Sequence, residues 1–220
     1  MKINQFWLRL MGVFGILGGV ILFAGDMLFY YDEHNINLLE NMGNASDLRI
    51  IISGVSALLA TWFYMLGLGQ VYYSFKPTTS TIRNTVIISF AAILISYGVI
   101  HAAYLAIATT AKLSIQNQLD IETATALASK TNQILRLFIY PIFAILSFVF
   151  ISQVWKRKTL YPRWMIICFP LIPFLLQGFI SKFLSGNLKI IIGGYLSIIL
   201  IIFFTASTIA FWTSNSNQET

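Results

Sequence analysis

Gly15-Ile16-Leu17-Gly18-Gly19-Val20-Ile21-Leu22-Phe23-Ala24-Gly25-Asp26-Met27-Leu28-Phe29-Tyr30 decides the fold class of this chain. The apolar run begins upstream, at Phe6, and far exceeds the roughly 20 residues a helix needs to cross the hydrocarbon core of a bilayer. It follows a basic start, Met1-Lys2, in the manner of a secretory leader. It is too long for a leader's apolar region, and no small-x-small cleavage site follows, so it reads as an uncleaved first span. On a helical projection Gly12, Gly15, Gly19, Asp26 and Tyr30 fall within about 60° of one another. The glycines invite close approach by another helix, Gly15 and Gly19 forming a GxxxG pair. The carboxylate on the same face marks a packing partner or a site.

Outward from this segment the pattern repeats. Apolar residues make up 57% of the 220 residues and charged ones only 10%, against about 25% charged in soluble domains. That excludes soluble, disordered, collagen-like and disulfide-rich classes, because so much apolar surface cannot be buried against a chain of this size. Six segments are predicted to span: residues 6–31, 48–75, 82–111, 134–155, 163–184 and 188–212. The expected fold is all-α, a polytopic membrane helix bundle with six transmembrane helices and one transmembrane domain over 1–220. Between the third and fourth spans, Asp120 is placed as the N-cap of a surface helix running into the fourth.

Lys and Arg counted by side give eight residues with the termini (Lys2, Arg9, Lys76, Arg83, Lys156, Arg157, Lys158, Arg163) and six opposite (Arg49, Lys112, Lys130, Arg136, Lys182, Lys189). Trp7, Trp155, Trp164 and Trp212 gather at the more basic boundary, as an interfacial belt does. Both termini are therefore expected in the cytoplasm, with the chain in the cell membrane. The net charge of +6 sets orientation and implies no nucleic acid, the longest basic run being Lys156-Arg157-Lys158.

Polar residues collect in the half predicted to face outward. Tyr97, His101 and Tyr104 share one face of the third span with Ala108. Arg136 and Tyr140 align on the fourth with Ser147, where Pro141 loosens the backbone. Gln177 aligns with Pro170, Pro173 and Ser181 on the fifth, and Gly194 with Ser197 on the sixth. Ser53, Ala57, Ala60, Tyr64 and Gly67 form a small-residue face on the second. If these stripes converge, Asp26, Tyr30, Tyr97, His101, Tyr104, Arg136, Tyr140 and Gln177 enclose a pocket open to the outside.

Three readings stay open: a pocket binding or moving a small molecule or lipid, an enzyme using Asp26 and His101 as acid and base, and an accessory subunit whose polar groups lock helices together. The enzyme requires that pair within about 3 Å or one water. The accessory reading expects Asp26 paired with Arg136 and no cavity. No cofactor or metal is expected. Asp26 and His101 would supply only two ligands, the loop Asp32-Glu33-His34 a doubtful third. There is no G-x-S-x-G elbow, and one intramembrane histidine excludes a bis-histidine haem. The lone Cys168 precludes an intrachain disulfide, and the sequence carries no signal of oligomeric state. Gly25-Asp26, His101-Ala102-Ala103-Tyr104 and Tyr161-Pro162-Arg163-Trp164 together resemble the short six-span bacterial membrane proteins grouped as families of unknown function. That resemblance implies no activity, only that Asp26 and His101 are the first suspects.

Overall fold

The computed structural model describes residues 4–213, and these form α-helices with no strand. The order is α1 (Gln5–Tyr30), α2 (Leu38–Asn44), α3 (Asp47–Ser74), α4 (Ser80–Gln116), α5 (Ile121–Leu137), α6 (Ile139–Trp155), α7 (Met165–Cys168), α8 (Leu171–Phe183), a 3₁₀ segment (Gly186–Gly194) and α9 (Tyr195–Thr213). Side-chain caps start the long helices. Asn4, Ser46, Thr79 and Asp120 each accept a hydrogen bond from an otherwise orphaned amide of the first turn.

Five segments are long and apolar enough to cross a membrane: Gln5–Tyr30, Asp47–Ser74, Ser80–Gln116, Ile121–Trp155 and Leu188–Trp212. The outer surface of this helical membrane bundle is that of a lipid-facing one, with Ile51, Leu58, Trp62, Ile88 and Phe148 all exposed. The fifth expected span, 163–184, is not one helix. Phe169 precedes Pro170 and takes the extended conformation (φ −68°, ψ 138°) that proline's ring favours in its neighbour. The helix therefore breaks between Cys168 and Leu171. The 13 residues of α8 reach about 20 Å at 1.5 Å per residue, short of a roughly 30 Å hydrocarbon core.

Two boundaries move as well. The third span runs on to Gln116 instead of stopping at 111, and ends in a left-handed Gln118 (φ 55°). Leu119 N–H bonds Ser114 O at 2.9 Å there, the pattern of a Schellman cap. The fourth segment starts at Ile121, since α5 and α6 are separated only by a break at Phe138. Pro141 has no N–H to give the carbonyl of Leu137, which accounts for the break.

α1 lies between α3 and α9, α4 packs on α3, and α5 and α6 pack on α4. The glycine stripe makes the first contact possible. A Cβ on Gly67 would lie 2.7 Å from Gly15 Cα, and one on Gly15 would lie 2.2 Å from the Phe204 ring. An aromatic core fills the half of the bundle marked by Arg9, whose guanidinium stacks over Trp212. It contains Phe75, Phe150, Tyr161, Phe169 and Phe203, with Phe150 and Phe169 stacked 4.3 Å apart. A second cluster, Phe29, Tyr30, Met42, Ala45, Ile50, Ile107, Ala108 and Ile190, closes the opposite end, where α2 covers α4.

Candidate functional site

The opposite end is where the polar residues meet. Asp26 is carried by α1, Ser53 and Ser56 by α3, His101 by α4 and Ser197 by α9. Gly193 and Gly194 let the 3₁₀ segment close on Tyr30 and Asp26, since a Cβ on Gly194 would lie 3.3 Å from Asp26 Cβ. That approach delivers Ser197 Oγ, which donates to Asp26 Oδ2 at 2.8 Å. His101 Nδ1 lies 3.0 Å from Asp26 Oδ1, with both residues buried. The Phe29 ring covers the imidazole at 5.3 Å between centroids.

The far side of the imidazole fixes its proton. Nε2 lies 3.1 Å from the carbonyl oxygen of Ser53 and 3.0 Å from its hydroxyl. That hydroxyl is given to Gly25 O at 2.7 Å, and Ser56 Oγ donates to Ser53 O at 2.6 Å. A carbonyl only accepts, so the network assigns a hydrogen to Nε2. On the other side of the ring the Nδ1–Oδ1 contact gives the buried imidazole and the buried carboxyl a partner each, which is the condition for burying them in an apolar bundle.

The contacts Ser53–His101–Asp26 have the spacing of a nucleophilic triad. Ser53 is nevertheless fully buried, lies on the wall of neither cavity beside the pair, and commits its hydroxyl to Gly25 O. Nothing in this arrangement leaves room for an acyl carbon at its oxygen.

Two adjoining cavities open beside the pair. The smaller, about 50 Å³, is walled by Asp26, Tyr30, Tyr97, His101, Tyr104, Arg136 and Ser197, among others, the size of a small water-filled space. The larger, about 300 Å³, is walled by Tyr30, Tyr97, Tyr104, Arg136, Tyr140 and Gln177, with apolar Leu38, Ile139, Phe143, Phe174, Ile192 and Leu196. Arg136 ends α5, where its charge also meets the negative end of the helix dipole. Its Nε donates to Asn132 Oδ1 at 3.1 Å, its Nη2 donates to the Tyr104 hydroxyl, and the guanidinium lies 5.4 Å from the Tyr104 ring centroid. Asn132 in turn donates to Ile100 O at 3.1 Å, tying α5 to α4. Among the described residues no carboxylate lies within 4.0 Å of Arg136; Asp26 pairs with His101 instead.

All eight residues singled out from the sequence thus stand around these two cavities: Asp26 and His101 in the smaller, Tyr140 and Gln177 in the larger, and Tyr30, Tyr97, Tyr104 and Arg136 in both. The chain matches the model of DUF6796, a family of unknown function, over residues 1–215. It belongs to that family. No curated protein and no solved structure matches it.

Ser53 and Ser197 are legible in the sequence only as members of small-residue faces, with nothing to mark them as partners of His101 and Asp26. Asn132 is absent from that reading, although its position four residues before Arg136 on an amphipathic helix is a usable signal. A second buried network also went unseen, in the half that holds Arg9 and Trp212. There Gln70 Nε2 donates to Leu8 O at 3.1 Å, Ser207 Oγ donates to Gln70 Oε1 at 2.6 Å, and Tyr161 Oη meets Ser207 Oγ at 2.7 Å. Every group in it is un-ionisable or a phenol, so it reads as a helix lock between α1, α3 and α9.

Proposed function

We propose that this family member is a multi-pass membrane protein of the cell membrane, its termini cytoplasmic, that binds or moves a small molecule or lipid through a polar chamber open to the outside. The observation that carries the reading is the chamber of about 300 Å³, with one arginine, four tyrosines and a glutamine on its wall. Ligand sites are concave, largely apolar, and oriented by a few convergent polar groups. A bundle that used its polar residues only as struts would leave no such space between them. The Asp26–His101 pair lies on the wall of the smaller cavity that adjoins the chamber.

A second reading, acid/base catalysis by Asp26 and His101, is favoured by their 3.0 Å separation and their place on the smaller cavity. It ranks below binding because the large space lies on the Arg136 side, away from the pair. The test is the thermal midpoint of detergent-purified protein across a ligand and pH panel, beside Asp26→Asn, His101→Gln and Gln177→Leu. Binding predicts a compound that raises the wild-type midpoint and a response that Gln177→Leu blunts. A wild-type midpoint that no compound moves refutes it. Turnover of a stabilising compound that stops in Asp26→Asn promotes the catalytic reading.

A further inference from the structure

Resting on that chamber, we infer a more specific occupant: an anionic lipid, its headgroup against Arg136 and an acyl chain in the cleft beside α6. The chamber does not end at its polar wall. Tyr140 and Phe143 also line a second space of about 800 Å³, which continues along α6 past Ala144, Phe148 and Ile151 to Trp155 and Lys156, with Leu171 opposite. The polar chamber and the apolar cleft therefore share a wall at the first turn of α6. From Tyr140 to Trp155 the helix rises about 22 Å at 1.5 Å per residue, the reach of a long acyl chain.

The cleft exists because α8 is a poor neighbour. The break at Phe169-Pro170 leaves it short, it buries none of its residues, and it meets α6 through the Phe174 ring against Phe143, 6.0 Å between centroids. A Cβ on Gly178 would meet nothing within 4 Å. Access is therefore sideways, from within the bilayer, the route a lipid takes.

Charge selects the headgroup. Among the described residues, Arg136 is the only Lys, Arg, Asp or Glu on the wall of the larger cavity. Its protein partners are a phenol and an amide, both neutral. A guanidinium at membrane depth is costly without an anion, and its fork of donors matches a phosphate or carboxylate. The phenols of Tyr30, Tyr97 and Tyr140 and the amide of Gln177 offer further donors. A free phosphate or a glycerol phosphate shares this head chemistry but leaves the cleft unused.

The experiment titrates protein in neutral maltoside micelles with lyso-phosphatidylglycerol, lyso-phosphatidylcholine and glycerol 3-phosphate. Midpoint shifts report affinity, and native mass spectrometry reports bound lipid and oligomeric state. The inference expects lyso-phosphatidylglycerol alone to stabilise wild type. Arg136→Gln weakens that binding by about tenfold or more, as losing a charge-assisted contact does. Ala144→Trp, which fills the cleft from an exposed position, weakens it comparably, and Lys130→Gln, a cation on the wall of neither space, leaves it unchanged. Should Arg136→Gln not purify folded, Ala144→Trp carries the test alone.

Equal stabilisation by glycerol 3-phosphate, undiminished in Ala144→Trp, overturns the lipid and leaves the chamber as a small-anion site. Equal stabilisation by the choline lipid overturns the charge argument. Loss of binding in Lys156→Gln and not in Arg136→Gln puts the head at the wrong end and overturns the inference. A dimer that Ala144→Trp converts to monomer makes the cleft an interface between copies and does the same. If these ligands all fail but another compound in the panel shifts wild type, only the lipid falls; if no compound of any kind does, the chamber reading falls with it.

Discussion

Removing one member of the Asp26–His101 pair should cost far more than removing one polar contact at a surface. Both side chains are buried, and their 3.0 Å contact is the centre of a cluster whose other members are the Ser53 carbonyl and the Ser197 hydroxyl. His101→Ala leaves the Asp26 carboxyl with Ser197 as its remaining donor, and Asp26→Ala leaves Nδ1 facing an apolar gap. Breaking a buried pair by deleting one partner costs about 3–5 kcal/mol. At about 2–4 °C per kcal/mol for a chain of this size, each single variant should melt roughly 6–20 °C below wild type. The double variant orphans neither partner, so its loss should fall short of the two single losses added together by about 0.5–3 kcal/mol. Reversible unfolding by SDS titration in mixed micelles, followed by tryptophan fluorescence, measures all four corners of the cycle. Single losses under about 1 kcal/mol, or losses that add within about 0.5 kcal/mol, would refute the buried-pair reasoning.

Three other perturbations test the frame around the site. Gly67→Val puts carbon against the backbone of Gly15, which cannot yield as a side chain can; the overpacking should cost about 1–3 kcal/mol or more in the same unfolding assay, while Gly178→Ala, facing open space, should be neutral. Gln70→Leu strips Ser207 and the Leu8 carbonyl of a buried partner and should cost about 1–3 kcal/mol without changing the response to any chamber ligand. At the start of α5, the hydrogen bonds from Thr123 hold the Asp120 carboxyl below its ordinary range. A lowered folded value stabilises the cap above about pH 4 and is lost as pH falls through it. Hydrogen-exchange protection of the first turn of α5 should therefore drop at acid pH in wild type and become pH-independent in Asp120→Asn, which still caps.

Composition and the 20-residue apolar runs were enough to specify a helical membrane bundle, because only helices and closed barrels satisfy the backbone in lipid and barrel strands alternate over about 10 residues instead of running apolar. The period of 3.6 residues was enough to put Asp26 with the glycines and His101 with Tyr97 and Tyr104, since side chains three and four apart share a helix face whatever the helix packs against. The Asp120 cap was legible for the same local reason. Where the third span's end shifted, the stop is local but carries no standard residue signal. Gln118 ends α4 in a left-handed turn that nothing marks, because the residue there is not glycine.

The break in the 163–184 segment was written in Pro170, yet hydropathy averages over it, and prolines are tolerated in spanning helices when neighbours take up the freed groups. Only the tertiary structure decided that Asp26 meets His101 and not Arg136. It also decided that Ser53 and Ser197 complete the cluster, and that a cleft along α6 shares Tyr140 and Phe143 with the chamber. Each of these depends on which helices are neighbours and on how closely glycines let them approach. A sequence fixes the faces of its helices one at a time, whereas a site made by five of them exists only at their crossing.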